Sequence, residues 1–207
     1  MQKEILIETV YAIEFEMFDH VHESNGKPLS PDETDTFRIM RLSHLKTWSE
    51  ALLNSYLQDL ETARASGTNL MAVKYGRMME RTFPEAYERI KECLPAVSDA
   101  KKELAGKLTT ILMKWEGGIR EQYPFLDRRG RPLYSKQDSP AKTSFETYAR
   151  GELANYSEET LTLYLGDCEK LVAQGINGTE AIYRNMVQMY GYASLEDAAD
   201  RMSWDLG

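Results

Sequence analysis

The chain has 207 residues, 42% hydrophobic and 28% charged, which is the composition of an ordinary globular protein. Its formal net charge of −8, with no five-residue run of Lys and Arg, argues against nucleic-acid binding, because nucleic-acid phosphates must be neutralised by clustered cations. Acidic side chains interrupt the apolar stretch of residues 1–18, so we expect neither a signal peptide nor a membrane span there.

The two cysteines, Cys93 and Cys168, are far apart and lie in stretches with helical patterns. In a chain without an export signal, such isolated cysteines are expected to be reduced, buried and structural.

Five helices are predicted in the first half. Leu6, Val10, Ile13, Met17 and Val21 recur at intervals of three and four, which indicates an amphipathic helix over residues 2–21. Capping residues, glycines and prolines mark the ends of the other four helices. They run from Ser30 to about Leu45, from the Thr47-x-x-Glu50 capping box to Gly67, from Asn69 to Arg81, and from Pro84 to before Pro95.

The second half repeats this order. The predicted elements are a long helix from Ser98 or Asp99, weakened at Gly117-Gly118, then helices starting at Thr143 or Ser144, at Ser157 (closed by Gly175), at Thr179 and at Ser194. No segment shows sustained β-branched alternation, so no strand is predicted. The expected fold is all-α, with about ten helices.

An internal repeat explains the recurrence. Residues 36–81 align without a gap to residues 144–189, and 14 of the 46 pairs are identical, whereas unrelated segments match at roughly one position in fifteen. Gly130-Arg131-Pro132-Leu133 also matches Gly26-Lys27-Pro28-Leu29. We therefore predict a duplication: a single domain over 1–207 built of two similar halves, about 1–95 and 98–207, related by a pseudo-two-fold axis.

Several strings resemble an uncharacterised bacterial family, domain of unknown function 4125. They are EFEMF (14–18), TFRIMR (36–41), KYGRMME (74–80), RGRP (129–132) and TSFETYARGELANYSEETL (143–161). The resemblance covers nearly the whole chain, and TSFETY-x-RGEL is its most specific part. It implies a cytoplasmic bacterial protein, but it brings no established activity.

The first candidate site comes from the positions at which the two repeats differ. The alignment equates Arg38 with Glu146, His44 with Glu152, and Lys74 with Ile182. If helices 36–45 and 144–155 pair across the axis, Arg38, Arg41, Glu146 and Arg150 would meet. Such a cluster could clamp a carboxylate or phosphate, or it could be a structural ion network between the halves.

Three further residues are candidates on local grounds. Glu14 borders the apolar face of the first helix, and Glu152 occupies a comparable place in the RGEL string, so either could act as a general acid or base or could be a paired structural carboxylate. Arg131 lies in the basic loop Arg128–Pro132, which could receive an anion or could be a solvated turn.

Other chemistries find little support in the sequence. Glu16 and His20, and Asp19 and His22, lie one helical turn apart, but three histidines are few for a metal cage, and no metal is expected. No phosphate loop, dinucleotide motif or nucleophile elbow is present, so no cofactor is predicted.

Three functions remain open at this point. The first is a small cytoplasmic enzyme acting on an anionic metabolite between the two repeats, with Arg38, Arg41, Arg150 and Arg131 as ligand-binding residues and Glu14, Glu146 and Glu152 as proton carriers. The second is a non-catalytic small-molecule-binding or regulatory module that uses the same pocket, and the third is a helical scaffold for a protein partner. The sequence leaves open the substrate, the reaction and the oligomeric state.

Overall fold

A computed structural model describes residues 2–24 and 26–204. Within this part there are eleven α-helices and no strand, which confirms the all-α prediction of about ten helices. Their bounds are α1 Gln2–Ser24, α2 Pro31–Leu45, α3 Glu50–Ala65, α4 Leu70–Thr82, α5 Pro84–Ile90, α6 Asp99–Gln122, α7 Phe125–Arg129, α8 Phe145–Leu153, α9 Glu158–Ala173, α10 Gly178–Met189 and α11 Leu195–Trp204.

The helix starts follow the capping chemistry of the sequence. At α2 the Ser30 hydroxyl accepts from the Glu33 N–H, and the Glu33 carboxylate accepts from the Ser30 N–H, which completes a capping box. At five other helices a serine hydroxyl accepts the backbone N–H three residues further on: Ser49 at α3, Ser98 at α6, Ser144 at α8, Ser157 at α9 and Ser194 at α11.

Two local predictions, both of helix caps, were wrong. Thr47 caps no helix, because its hydroxyl donates to the His44 carbonyl and the cap of α3 is Ser49. Asn177, rather than Thr179, caps α10. The α6 helix runs through Gly117-Gly118 to Gln122, because packing of its apolar face outweighs the poor helix propensity of glycine.

The packing of the helices is reciprocal between the halves. α1 packs against α2, α3 and α4, whereas α6 packs against α8, α9 and α10. Across the halves α4 packs on α8, α10 packs on α2, and α3 packs on α9. A duplicated chain would show this pattern, although the duplication and the single domain stay interpretations of the sequence.

Equated side chains also make equated contacts. The Asn69 amide donates to the Met17 carbonyl of α1 at 2.7 Å, and the aligned Asn177 donates to the Trp115 carbonyl of α6 at 2.8 Å. Each asparagine therefore ties the start of one helix to the long first helix of its own half.

The main core draws on both halves. Val10, Leu53, Leu108 and Leu161 are all fully buried in one cluster of apolar side chains. A smaller cluster around Ile119, Val187 and Leu195 joins α6, α10 and α11. Burial of this apolar surface is the main stabilising contribution to the fold.

The two cysteines differ in environment. Cys168 is buried in the main core, and burial raises the pKa of its thiol to about 12, so it is inert as a nucleophile. Cys93 is exposed, which corrects the expectation that both are buried. In the described part of the chain, no helix combines the length and apolar character that crossing a membrane requires.

Candidate functional site

A group of charged side chains lies within the apolar core. Arg41 donates from Nε and Nη2 to both oxygens of Glu14, at 2.8 and 2.6 Å, and from Nη1 to Oε1 of Glu152 at 2.8 Å. Lys74 Nζ lies 3.6 Å from Oε2 of the same Glu152. We refer to Glu14, Arg41, Lys74 and Glu152 as the buried ion cluster.

Four helices supply the cluster, one residue each. Glu14 lies on the inward face of α1, Arg41 on α2, Lys74 on α4 and Glu152 near the end of α8. All four residues are at most 8% exposed. The cluster therefore ties three helices of the first half to one helix of the second.

Two buried tyrosines donate hydrogen bonds to the carboxylates of the cluster. The Tyr56 hydroxyl donates to Glu14 Oε1 at 2.7 Å, and the Tyr156 hydroxyl donates to Glu152 Oε1 at 2.8 Å. Burial, followed by the neighbouring carboxylates, raises the pKa of both tyrosines well above the ordinary value, so both remain protonated donors.

The charges in the cluster hold one another ionised. Burial would raise the pKa of Glu152, but Arg41 and Lys74 outweigh it and hold that pKa well below its usual range. Burial would likewise lower the pKa of Lys74, yet its contacts with Tyr148 and Glu152 raise it. Two cations and two anions are thus fixed in a neutral group.

His44 borders this cluster as a neutral ring. Burial, and then the nearby Arg41 charge, lower the pKa of His44 from 6.5 to about 4. Its Nε2 lies 3.4 Å from the Tyr164 hydroxyl, and its ring meets the Trp48 ring edge-on at 6.0 Å. The imidazole therefore adds no charge to the site near neutral pH.

A second group of side chains extends from Lys74 towards the surface. Lys74 Nζ donates to the Tyr148 hydroxyl at 2.9 Å and lies 5.6 Å from the centre of the Tyr75 ring. The Arg131 guanidinium lies over the Tyr148 ring, 4.9 Å from its centre. We call Lys74, Tyr75, Arg131 and Tyr148 the outer tyrosine site.

Solvent reaches this outer site. Arg131 is exposed, Tyr75 and Tyr148 are half-buried, and Lys74 is 2% exposed at the inner end. Neither the hydroxyl hydrogen of Tyr148 nor the hydroxyl of Tyr75 finds a partner among residues 2–24 and 26–204. Burial raises the pKa of Tyr75, so its hydroxyl is also a protonated donor.

On its other side, Lys74 lines a small cavity with Glu152, Asn155 and the two cluster tyrosines. The cavity measures about 10 Å³, which is room for about one water molecule. The Asn155 side-chain oxygen is buried, and no residue of the described part donates to it. A cavity of this volume is too small for a metabolite.

The structure brings together only some of the residues selected from the sequence. Glu14, Arg41 and Glu152 join the buried ion cluster, and Arg131 joins the outer tyrosine site. Arg38 is exposed, with its guanidinium 5.5 Å from the centre of the Tyr11 ring.

Glu146 and Arg150 form a separate pair at the surface. Arg150 donates to Glu146 Oε1 at 3.1 Å, and Glu146 Oε2 accepts the Ser135 N–H at 2.9 Å. Within the described part, no contact links this pair to Arg41. The side chains of Arg128 and Arg129, from the same basic loop as Arg131, lie outside the described residues.

Sequence reasoning did not select Tyr148 or Lys74 as site residues. Lys74 differs from its aligned residue Ile182, and that mismatch was the available signal. Tyr148 gave none, because its neighbour Lys74 is 74 positions away. It also missed a second buried charge pair, Glu116 and Arg120 of α6, whose spacing of four was readable in the sequence.

No group of three or more His, Cys, Asp and Glu side chains within the described ranges is arranged to hold a metal ion. His22 instead places its Nδ1 3.0 Å from the Phe18 carbonyl, and its ring lies against the Phe18 ring. The arrangement around α1 is thus one of packing and local hydrogen bonding.

Comparison with known proteins identifies the family of this chain but no activity. A search of curated proteins and a search of solved structures each return no significant match. A family model described as "Protein of unknown function (DUF4125)" matches residues 4–200, which is nearly the whole chain. The chain therefore belongs to the DUF4125 family.

Proposed function

We propose that this protein is a non-catalytic binding module for a small oxyanion, a molecule that carries a carboxylate or phosphate group, and that the outer tyrosine site holds it. The observation that carries the proposal is the surplus of positive charge there. Arg41, Lys74 and Arg131 lie along one line of contacts, and among the described side chains the carboxylates paired with them are Glu14 and Glu152. One unit of positive charge therefore remains for a ligand.

The donors at the outer site fit an oxyanion. The Lys74 ammonium has three N–H groups; one donates to Tyr148, one can face Glu152 at 3.6 Å, and the third has no partner among the described residues. Tyr75 and Tyr148 each offer a hydroxyl hydrogen, and within the described part of the chain the Arg131 guanidinium makes one long hydrogen bond, 3.4 Å to the Thr143 carbonyl. Charge-assisted hydrogen bonds from such groups are the stronger kind.

The two repeats differ at this place in a way that favours a specialised site. The aligned positions of Lys74, Tyr148 and Glu152 are Ile182, Met40 and His44. The α4–α8 contact thus carries buried charges, whereas Ile182 on α10 is a half-buried apolar residue and Met40 on α2 is exposed. Packing of two helices alone does not require buried charges at the α4–α8 contact.

Binding is favoured over catalysis by the state of the carboxylates. A general base works best with a pKa near the working pH. The pKa of Glu152 is held well below its usual range, and both oxygens of Glu14 are occupied by Arg41. Arg41 is equally committed, so these residues hold the helices together and leave ligand binding to Lys74 and Arg131.

The test is an NMR titration of the full chain with sodium acetate and, separately, inorganic phosphate, at an ionic strength kept constant with sodium chloride. We expect saturable shifts at Tyr75, Lys74, Tyr148 and Arg131 with at least one anion. Arg131→Gln should weaken the affinity about tenfold, the loss of one charge-assisted contact.

Arg201 provides the matched control. It is an exposed arginine that lies over another tyrosine ring, 5.8 Å from the centre of Tyr192. Arg201→Gln should leave the affinity unchanged. Shifts that fail to saturate with either anion, or equal losses in the two arginine variants, would show that the outer site is not the binding site.

A further inference from the structure

A second buried charge group lies at the far end of α6. Arg120 donates from Nε to Glu116 Oε1 at 2.8 Å, and its Nη2 lies 2.7 Å from the same oxygen. The Tyr183 hydroxyl of α10 donates to that oxygen as well, at 2.8 Å. Glu116 is 1% exposed and Arg120 is 6% exposed, so the pair is built into the smaller core.

The other arm of Arg120 points away from Glu116. Its Nη1 donates to the backbone carbonyl of Arg131 at 2.7 Å, and to Asp127 Oδ1 at 3.1 Å. The guanidinium is planar, so once Glu116 fixes one edge the position of Nη1 is fixed too. The Arg131 carbonyl is held by that fixed nitrogen.

The backbone beside Arg131 is packed closely on the same framework. A Cβ added to Gly130 would lie 2.6 Å from the Leu126 carbonyl oxygen and 3.6 Å from Arg120 Nη2. On the other side of Arg131, the Phe145 N–H donates to the Pro132 carbonyl at 2.7 Å. The chain at residues 130–132 therefore has little freedom to move.

A continuous line of contacts joins the two charge groups. It runs from Glu116 through Arg120 to the Arg131 backbone, then from the Arg131 side chain to the Tyr148 ring and on to Lys74 and Glu152. We propose that Glu116 and Arg120 are positioning residues, which hold the Arg131 guanidinium over Tyr148 so that it and Lys74 can bind one oxyanion together. This inference rests on the proposed function for its ligand.

A purely structural role would predict something different. If Glu116 and Arg120 only stabilise the end of α6, replacing them lowers stability without changing how Arg131 lies on Tyr148 in the molecules that stay folded. If they position the loop, the contact between Arg131 and Tyr148 changes in the folded protein. The ring current of Tyr148 shifts the resonances of nearby side-chain protons, so it reports this contact directly.

The experiment compares Arg120→Lys with the wild-type full chain, without ligand and with acetate or phosphate. Lysine keeps the positive charge but has no planar fork, so it cannot serve Glu116 and the Arg131 carbonyl in the same geometry. We expect the ring-current shift of the Arg131 side-chain protons to be lost and the oxyanion affinity to fall about tenfold. Arg184→Lys, in the surface pair with Glu180, is the control and should change neither.

Tyr183→Phe serves as a milder variant if Arg120→Lys does not fold. It removes one donor from Glu116 and leaves Arg120 in place, so a partial loss of the ring-current shift supports the inference. An unchanged shift in the folded variant overturns it. A wild-type protein that binds neither anion, together with a shift lost in the variants, would refute the proposed function while leaving the positioning role intact.

Discussion

Arg41 of α2 hydrogen-bonds to Glu14 of α1 and to Glu152 of α8 at the same time, with all three residues buried. It is the one guanidinium among the described residues that joins carboxylates from both halves of the chain. Removing one partner of a buried ion group is costly, because the remaining charges are left without compensation.

Arg41→Ala should therefore destabilise the fold by about 3–5 kcal/mol, because two buried carboxylates lose their main counter-ion. Urea unfolding followed by circular dichroism measures the change in free energy of unfolding. Arg38→Ala, in the same helix but exposed and over the Tyr11 ring, should cost at most about 1 kcal/mol. Similar losses in both variants would mean that the cluster contributes little.

Acid should destabilise the protein through Glu152. Its folded-state pKa is lowered, so its contribution is fully present above the unfolded pKa of about 4.3 and is lost as the pH falls through the folded pKa. We expect the free energy of unfolding to drop steeply below about pH 5 in the wild type. Glu152→Gln should be less stable at pH 7 and should show a shallower decline.

Glu121 is the comparison for that pH series, since it is an exposed glutamate of α6. Glu121→Gln should follow the wild-type curve. If the free energy of unfolding of Glu152→Gln fell as steeply as that of the wild type between pH 5 and pH 3, the acid sensitivity would have to come from other groups.

His44 should add a second component between about pH 6.5 and pH 4. Its folded pKa is lowered from 6.5 to about 4, so in this window the unfolded chain binds a proton that the folded protein does not. Stability therefore decreases as the pH falls through this window. His44→Gln should flatten the stability curve between pH 6.5 and pH 4 and leave the steeper fall below it.

The contact between α4 and α8 depends on the absence of a side chain at Gly151. A Cβ there would lie 3.1 Å from Met78 Cγ and 3.3 Å from the Lys74 carbonyl oxygen. Gly151→Ala should push α4 and α8 apart and cost about 1–3 kcal/mol. It should also disturb Lys74, which is visible in its NMR resonances.

Gly166 in α9 gives the opposite expectation. A Cβ there meets nothing within 4 Å, so Gly166→Ala should stabilise the protein by about 0.5–1 kcal/mol through the higher helix propensity of alanine. Thermal unfolding of both variants tests these two expectations: Gly151→Ala should lower the melting temperature and Gly166→Ala should raise it. A melting temperature raised by Gly151→Ala would contradict this interpretation of Gly151, and one lowered by Gly166→Ala would contradict that of Gly166.

The sequence was most informative where the physics is local. Caps such as Ser30, Ser98 and Ser157 bond to backbone groups three residues away, so their function can be read without any tertiary contact. The short helix α7 at Phe125–Arg129 was not predicted, because it has no side-chain cap and follows Pro124 directly.

The candidate site was predictable only in part. Glu14 and Glu152 stood out as carboxylates beside apolar positions, and both are buried. The proposed meeting of Arg38, Arg41, Glu146 and Arg150 assumed that α2 and α8 pair with each other. The principal contact between equated helices is α3 with α9, while α8 packs on α4 and α2 packs on α10.

By itself, the sequence determined most of the helices, most of their caps and the alignment of residues 36–81 with 144–189, because periodicity and capping act within a few residues. Only the tertiary structure decided that Arg41 serves Glu14 and Glu152, and that Lys74 and Arg131 share Tyr148. These partners lie 17 to 111 positions apart in the chain, and no local pattern marks them. Whether they meet depends on which faces of the helices pack together. Ion pairs within one helix, such as Glu116 and Arg120, can be read from their spacing, whereas pairs between helices are decided by the packing.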